Sequence, residues 1–190
     1  MDTNLEENRV IFTAGDGTAE NPFIILDRGG LEAVSDNLSA HYKLGADIDL
    51  LGEEFTPMGT SSSPFTGNFD GDGYAVRGLK VAADDYAGLF GSASGAAFQN
   101  LRIEGAEIES TGSSAGILAG SAERGRIESC VVTGSVRGAE YTGGLAGKIS
   151  GTQVSESGMK GSVEGGAQTG LLTGYAYGGR VSRCRAEGSV

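Results

Sequence analysis

Apolar side chains fall on a repeating grid over the C-terminal half of the chain. Phe98, Ile127, Val154 and Val181 each lie seven residues after a glycine, namely Gly91, Gly120, Gly147 and Gly174. Leu101, Cys130, Ser157 and Cys184 hold the tenth place after the same glycines, and Ile103, Val132, Met159 and Ala186 the twelfth. The last two sets alternate with polar or small residues, as the side chains of a half-buried strand do. A short apolar segment precedes each leading glycine, reading GLF, ILA, GLA and LLT, with Leu89, Leu118, Leu145 and Leu172 in register. A trailing glycine follows 14 residues later, at Gly105, Gly134, Gly161 and Gly188.

The leading glycines advance by 29, 27 and 27 residues, so the unit is a repeat. Each unit offers two or three short strands joined by glycine corners, and none carries the periodicity that a helical repeat needs. One such unit cannot bury its apolar face alone. Stacked at about 4.8 Å per coil it can, because every strand then pairs with the coil above and below. The predicted fold is all-β, a right-handed parallel β-helix, the hand following from the bias of parallel crossovers. A leucine-rich repeat has similar length, but its leucine-asparagine framework is absent here. Gly105 to Gly116 takes 11 residues where Gly134 to Gly143 and Gly161 to Gly170 take 9. Variable length belongs on exposed turns, so this side is read as the loop side.

Upstream, GYAVRGLKV aligns with GAAFQNLRI and places Val76, Leu79 and Val81 in the inward ladders. HYKLGADIDL puts Leu44, Ile48 and Leu50 in an earlier coil, and PFIIL from Pro22 reads as a strand. In GGLEAVSDNLSAHY, Leu31, Val34 and Leu38 follow helical spacing, predicting one short helix that caps the N-terminal end. Residues 1–190 are thus one β-helix domain: a strand and capping helix over 1–41, irregular first coils over 42–86, and four repeats over 87–190. The sequence stops at RAEGSV, on a strand of the last repeat. That ending fits a truncated longer solenoid, or an open end covered by a partner through end-to-end or C-terminal contact.

Composition narrows the picture. Glycine contributes 34 residues, tryptophan none, and aromatic residues 7%. Close packing of small residues is therefore expected rather than a large aromatic core. The net charge of −11 argues against nucleic acid as a partner. No apolar run approaches the roughly 18 residues of a spanning helix, so this segment is not expected to insert into a membrane. The acidic opening MDTNLEENRV lacks the order of a signal peptide, which leaves an internal domain or a mature secreted segment. Cys130 and Cys184 are 54 residues apart, two repeats, with Ser157 between them. Two coils separate them by about 9.6 Å, beyond the roughly 7 Å reach of a bridge, so both are predicted free and inward-facing.

Candidate chemistry is sparse. Asp70 and Asp72 in FDGDG suggest calcium, but Tyr74 to Val81 adds no carboxylate, and a turn through Gly71 and Gly73 is the preferred reading. Asp47 and Asp49 flank Ile48 and read as a solvated strand face. GDG at Gly15 to Gly17 lacks the residues of a phosphate loop. Asp84 and Asp85, with Arg102, Arg126 and Arg180, are the nearest approach to a lyase or glycosidase site, yet they form no compelling cluster. Lys148 and Lys160 read as solvated cations. Tyr141, Tyr175 and Tyr177 near the corners are the candidate ligand-binding residues, through exposed aromatic faces. They can equally pack on neighbouring glycines. The leading glycines and Leu89, Leu118, Leu145 and Leu172 are structural. No cofactor or metal is expected, and no catalytic residue is assigned.

Taken together, DGTAENPFII, YKLGADIDL, FTPMGTSSSPFTGNFDGDGYAVRGLKV and AGLFG resemble bacterial surface proteins carrying the GLUG motif. The units GILAG, GGLAG and GLLTG resemble the GLUG repeats themselves. The resemblance spans about Gly15 to Val190. It implies secretion, an extracellular place on a bacterial cell surface, and a non-catalytic stalk or adhesin role. The implied partner is a host or cell-surface glycan or protein. Similar repeats also precede the catalytic part of some secreted immunoglobulin A metallopeptidases. Their His-Glu-x-x-His motif is absent, and His41, followed by Tyr42 and Lys43, is the sole histidine. The rival reading is a polysaccharide lyase or glycoside hydrolase on a β-helix scaffold.

Overall fold

A computed structural model of the chain describes residues 12–190; the acidic opening stretch lies outside the described residues. The chain winds as a parallel β-helix, and each full repeat passes through four short strands instead of two or three. Segments such as Tyr141–Gly143 and Gln153–Ser155 have three residues each, too few for a period of two to be visible in sequence.

Stacking of equivalent strands gives four parallel sheets. Sheet I runs through Phe23–Ile25, His41–Leu44, Asn68–Asp70, Ala97–Gln99, Arg126–Glu128, Gln153–Ser155 and Arg180–Ser182. Sheet II contains Ile48–Asp49, Ala75–Arg77, Arg102–Ser110, Val131–Arg137, Gly158–Glu164 and Arg185–Ser189, with Lys80–Ala83 also pairing to Arg102–Ser110. Sheet III is Phe90–Ser94, Ala119–Glu123, Ala146–Ser150 and Thr173–Tyr177. Sheet IV is Ser114–Ala115, Tyr141–Gly143 and Gln168–Gly170.

The inward ladders are those of the repeat grid. Phe98 pairs with Ile127, Ile127 with Val154, and Val154 with Val181. Ile103, Val132, Met159 and Ala186 form the equivalent column in sheet II. Leu89, Leu118 and Leu145 are buried, and Leu172 packs partly buried in the last coil. Cys130 and Cys184 are free, with Ser157 between them donating its hydroxyl to Ser155 O and accepting the Cys130 N–H at 3.1 Å. Burial pushes the Cys130 thiol up to about 12.

Three expectations about register and core change. Val76 is inward but pairs with Ile103, whereas Phe69 is the partner of Phe98, so GYAVRGLKV sits one strand later than the alignment placed it. The turn through Gly71 to Tyr74 makes that corner longer than its neighbours. Gly134 pairs with Gly161 on one side but with Ala106 on the other, because a bulge shifts the register and takes up Gly105. One of the two extra residues in that repeat therefore lies inside a strand and only the other on the loop side. Finally, the aromatic residues do form a core. Tyr42, Phe65, Phe69, Phe90 and Phe98 are buried together, with successive ring centroids 4.7–6.3 Å apart, and Phe12 and Phe23 extend the stack. They are scattered in sequence, and the coil register gathers them.

The N-terminal helix is brief. Asp27 caps Arg28–Glu32 by accepting from Gly30 N at 2.8 Å, and a 3-10 turn over Ala33–Asp36 follows. Leu31 and Val34 join the core. Asn37 then takes the Ser39 N–H and hydroxyl on its side-chain oxygen, which turns the chain before Leu38 can continue the helix. At the other end, the last coil leaves Val181 47% exposed.

The leading glycines are not corners. They lie within the strands of sheet III, in one column set by the pairs flanking them. A Cβ on Gly147 would stand 2.6 Å from Tyr141 O and 2.7 Å from both Ala115 N and Gly120 O. Sheet IV backbone thus packs directly on sheet III, and only glycine leaves the room. The corner itself is the column Gly95, Arg124, Gly151 and Gly178, all left-handed with φ between 51° and 69°. A Cβ at Gly95 would meet nothing within 4 Å. Gly147→Ala is therefore expected to lower unfolding free energy by about 3 kcal/mol or more. Gly95→Ala should cost only about 1 kcal/mol of backbone strain. Urea titration of both variants checks the difference.

Candidate functional site on sheet III

The outer face of sheet III carries two columns of side chains fixed by register. Directly after the leading glycines come Ser92, Ser121, Lys148 and Tyr175. Two positions further come Ser94, Glu123, Ser150 and Tyr177. Alternation along each strand aims both columns away from the interior, but Ser92 and Ser121 lie buried at the base of this face, whereas Tyr177 is open. At one end the face deepens into a groove of about 240 Å³, walled by Pro64, Tyr86 and Arg124 and reached by Lys148. Arg124 donates to Ser94 Oγ at 3.2 Å and lies 4.0 Å from Glu123.

At the other end Tyr141 reaches over from sheet IV and meets Tyr175, with ring centroids 5.4 Å apart and planes tilted by 55°. Tyr177 follows on the same strand, 69% exposed. The candidate tyrosines are thus brought together, and Lys148 links them to the groove as the strand partner of Tyr175. The face combines hydroxyl groups, a cation, a carboxylate and aromatic surface. Such a set can hydrogen-bond and stack against a polar ligand. The serines, Arg124 and Tyr86 escape a reading of sequence alone, although the place directly after each leading glycine is itself the signal.

The other candidates are dispersed. Asp70 accepts from Gln99 Nε2 at 2.9 Å, Asn100 Nδ2 at 3.1 Å and Asp72 N at 2.9 Å, while Asp72 pairs with Lys43 at 3.0 Å. These donors suit a braced turn. Asp47 accepts from Ala75 N and pairs with Arg77, both at 2.8 Å, and Asp49 takes the Leu51 N–H. Asp16, in the GDG stretch, accepts from Thr18. Asp85 accepts the Ser113 N–H at 2.8 Å, and Asp84 faces Thr111. Arg102 projects from sheet II and pairs with Glu104, whereas Arg126 and Arg180 share a column of sheet I on either side of Gln153. Among the described residues Asp84 and Asp85 make no ion pair with these arginines, and Asp47 is joined to Arg102 only through Arg77 and Glu104. His41 lies in the sheet I strand His41–Leu44.

The molecule is a parallel β-solenoid with a polar, tyrosine-bearing outer face. No protein-family model matches the chain. It is 31% identical over 149 residues to halomucin of Haloquadratum walsbyi, covering 69% of this chain and 2% of that protein. It is 35% identical over 91 residues to a "putative Gly-rich membrane protein" of Evansella cellulosilytica, covering 43% of this chain and 10% of the other. The chain therefore spans a small part of the curated relatives that it matches. Among solved structures, a "putative immunoglobulin A1 protease" from Bacteroides ovatus superposes with a TM-score of 0.72 at 21% identity, over 87% of this chain and 65% of that one. That likeness is one of fold.

The braced carboxylates carry a pH dependence. The Ala75 N–H and Arg77 hold Asp47 below its ordinary value, and the Ser113 N–H does the same for Asp85. The Arg77 hydrogen bond likewise lowers Glu104. Partial burial raises Asp70, but the hydrogen bonds from Gln99, Asp72 N and Asn100 outweigh it and leave it lowered. The unfolded chain therefore takes up protons first as pH falls. The stability these groups supply is full above the unfolded values of 3.8 for Asp and 4.5 for Glu, and is lost as pH drops through the folded values. The urea midpoint is expected to hold steady from neutral pH to about 5 and to fall below that. Asp47→Asn should flatten part of the fall.

Proposed function

We propose that the chain is a non-catalytic, GLUG-type repeat segment of a secreted bacterial surface protein, and that the outer face of sheet III binds a glycan or a protein partner. The observation that carries this reading is the meeting of Tyr141 and Tyr175 beside Lys148, in line with a groove rich in hydroxyl groups. Aromatic faces with adjacent hydrogen-bonding groups recognise sugars and polar protein surfaces without chemistry. The two relatives, a halomucin and a membrane protein by name, support an extracellular or surface setting.

The dispersal of Asp84, Asp85, Arg102, Arg126 and Arg180 favours binding over the rival lyase or glycosidase, whose mechanism requires convergent carboxylates. Glycan and host-matrix arrays provide the test. The wild-type chain should select a subset of ligands, and Tyr141→Ala/Tyr175→Ala should weaken that binding about tenfold or more, as loss of stacked aromatic contacts does. Equal binding by the double variant would remove sheet III from the proposal. Release of unsaturated or reducing ends from acidic polysaccharides, lost in Asp84→Asn or Asp85→Asn, would establish the enzymatic alternative instead.

A further inference from the structure

Sheet II carries a second recess, separate from sheet III. Its outer column reads Arg102, Val131, Gly158 and Arg185 from coil to coil. Gly158 contributes no side chain, which opens a shallow notch of about 450 Å³ between Val131 and Arg185. Val131 stands 46% exposed on one wall and gives it an apolar surface. The rim is polar, with Lys160, Arg183 and Arg185 beside Glu156 and Glu187.

The charges on this rim are not balanced. Arg183 pairs with Glu156 at 2.7 Å, and Arg185 pairs with Glu187. Lys160 has Thr133 and Glu187 as its strand neighbours, but Glu187 turns to Arg185 and makes no ion pair with Lys160. Among the described residues Lys160 is left without an anion. Three of the four cations after residue 150 gather here, in a chain of net charge −11.

We propose that this notch binds one uronate residue, a sugar ring bearing a carboxylate. The carboxylate pairs with Lys160, the site's uncompensated cation. The ring hydroxyls donate to Glu156 and Glu187, whose remaining lone pairs are open to such bonds, and one C–H face of the ring lies on Val131 over the Gly158 floor. A simple anion would use Lys160 alone and leave the apolar wall and the two acceptors without a role. Because the site is distinct from sheet III, its failure and that of the tyrosine face can be told apart by residue.

The test is an amide-resolved NMR titration of the whole chain with a galacturonate trimer, with its methyl ester and a glutamate tripeptide as further arms. The acid trimer should produce saturable shifts at Gly158, Met159 and Lys160 that weaken with salt. Lys160→Gln should weaken binding about tenfold or more. Gly158→Val fills the notch at a strand position where an added Cβ would have only Arg185 O nearby, at 3.1 Å, and should abolish the shifts. An unchanged affinity in Lys160→Gln would overturn the site, as would an equal response to the ester or shifts confined to Tyr141 and Tyr175. An equal response to the tripeptide would overturn the assignment to a sugar.

Discussion

Everything in this molecule depends on one constraint: each short strand finds its hydrogen-bond partners only in the next coil. A three-residue strand such as Gln153–Ser155 has no stability of its own, and it exists because Arg126–Glu128 and Arg180–Ser182 lie on either side in register. That register repeats every 27 residues from Val132 to Met159 to Ala186. A slip of one residue would turn the inward side chains outward and leave their polar neighbours buried. The glycine column of sheet III adds a second condition, since backbone closes onto it at a distance that excludes any Cβ, from sheet IV at Gly147 and Gly174 and from Tyr86 at Gly91 and Gly120. Backbone pairing and backbone contact thus fix the coil before side-chain packing refines it.

The same constraint lays out the surface. Every outward position becomes a column running along the axis, so chemistry is written as stripes at a spacing of about 4.8 Å. Sheet III reads serine, serine, lysine, tyrosine along one stripe, and sheet II reads arginine, valine, glycine, arginine along another. Variation within a stripe, rather than variation in the fold, is what creates a groove or a notch. The braced aspartates serve the scaffold: Asp47, Asp70 and Asp85 each reach across to the following coil and fasten its backbone or side chains.

Much of this was legible in the sequence because repeats make burial periodic. The columns through Phe98, Leu101, Ile103 and Leu145 follow from residue spacing, and the spacing of Cys130 and Cys184 excludes a bridge on distance alone. The early coils were harder. A longer turn at Gly71 to Tyr74 displaced Val76 by one strand, and a bulge at Gly105 broke an apparent glycine match. The aromatic core was hidden because its members come from coils of unequal length, so that no fixed period connects Phe65, Phe69 and Phe90. On the candidate faces, Tyr141 and Tyr175 stood out as residue types. Their meeting depends on how sheet IV folds onto sheet III, and the notch at Gly158 is marked only by a missing side chain.

The central claim, that a 27-residue coil is the unit of register, is tested most directly by removing one coil. Deleting residues 132–158 joins Val131 to Met159, which takes the place of Val132 in the ladder. This variant should keep its β-sheet circular dichroism and unfold cooperatively at a somewhat lower midpoint, as loss of one repeat from a solenoid requires. Deleting residues 132–157 instead shifts every following side chain to the opposite face, and the remaining C-terminal coils should unfold. Equal tolerance of the two deletions, or equal collapse, would contradict the account.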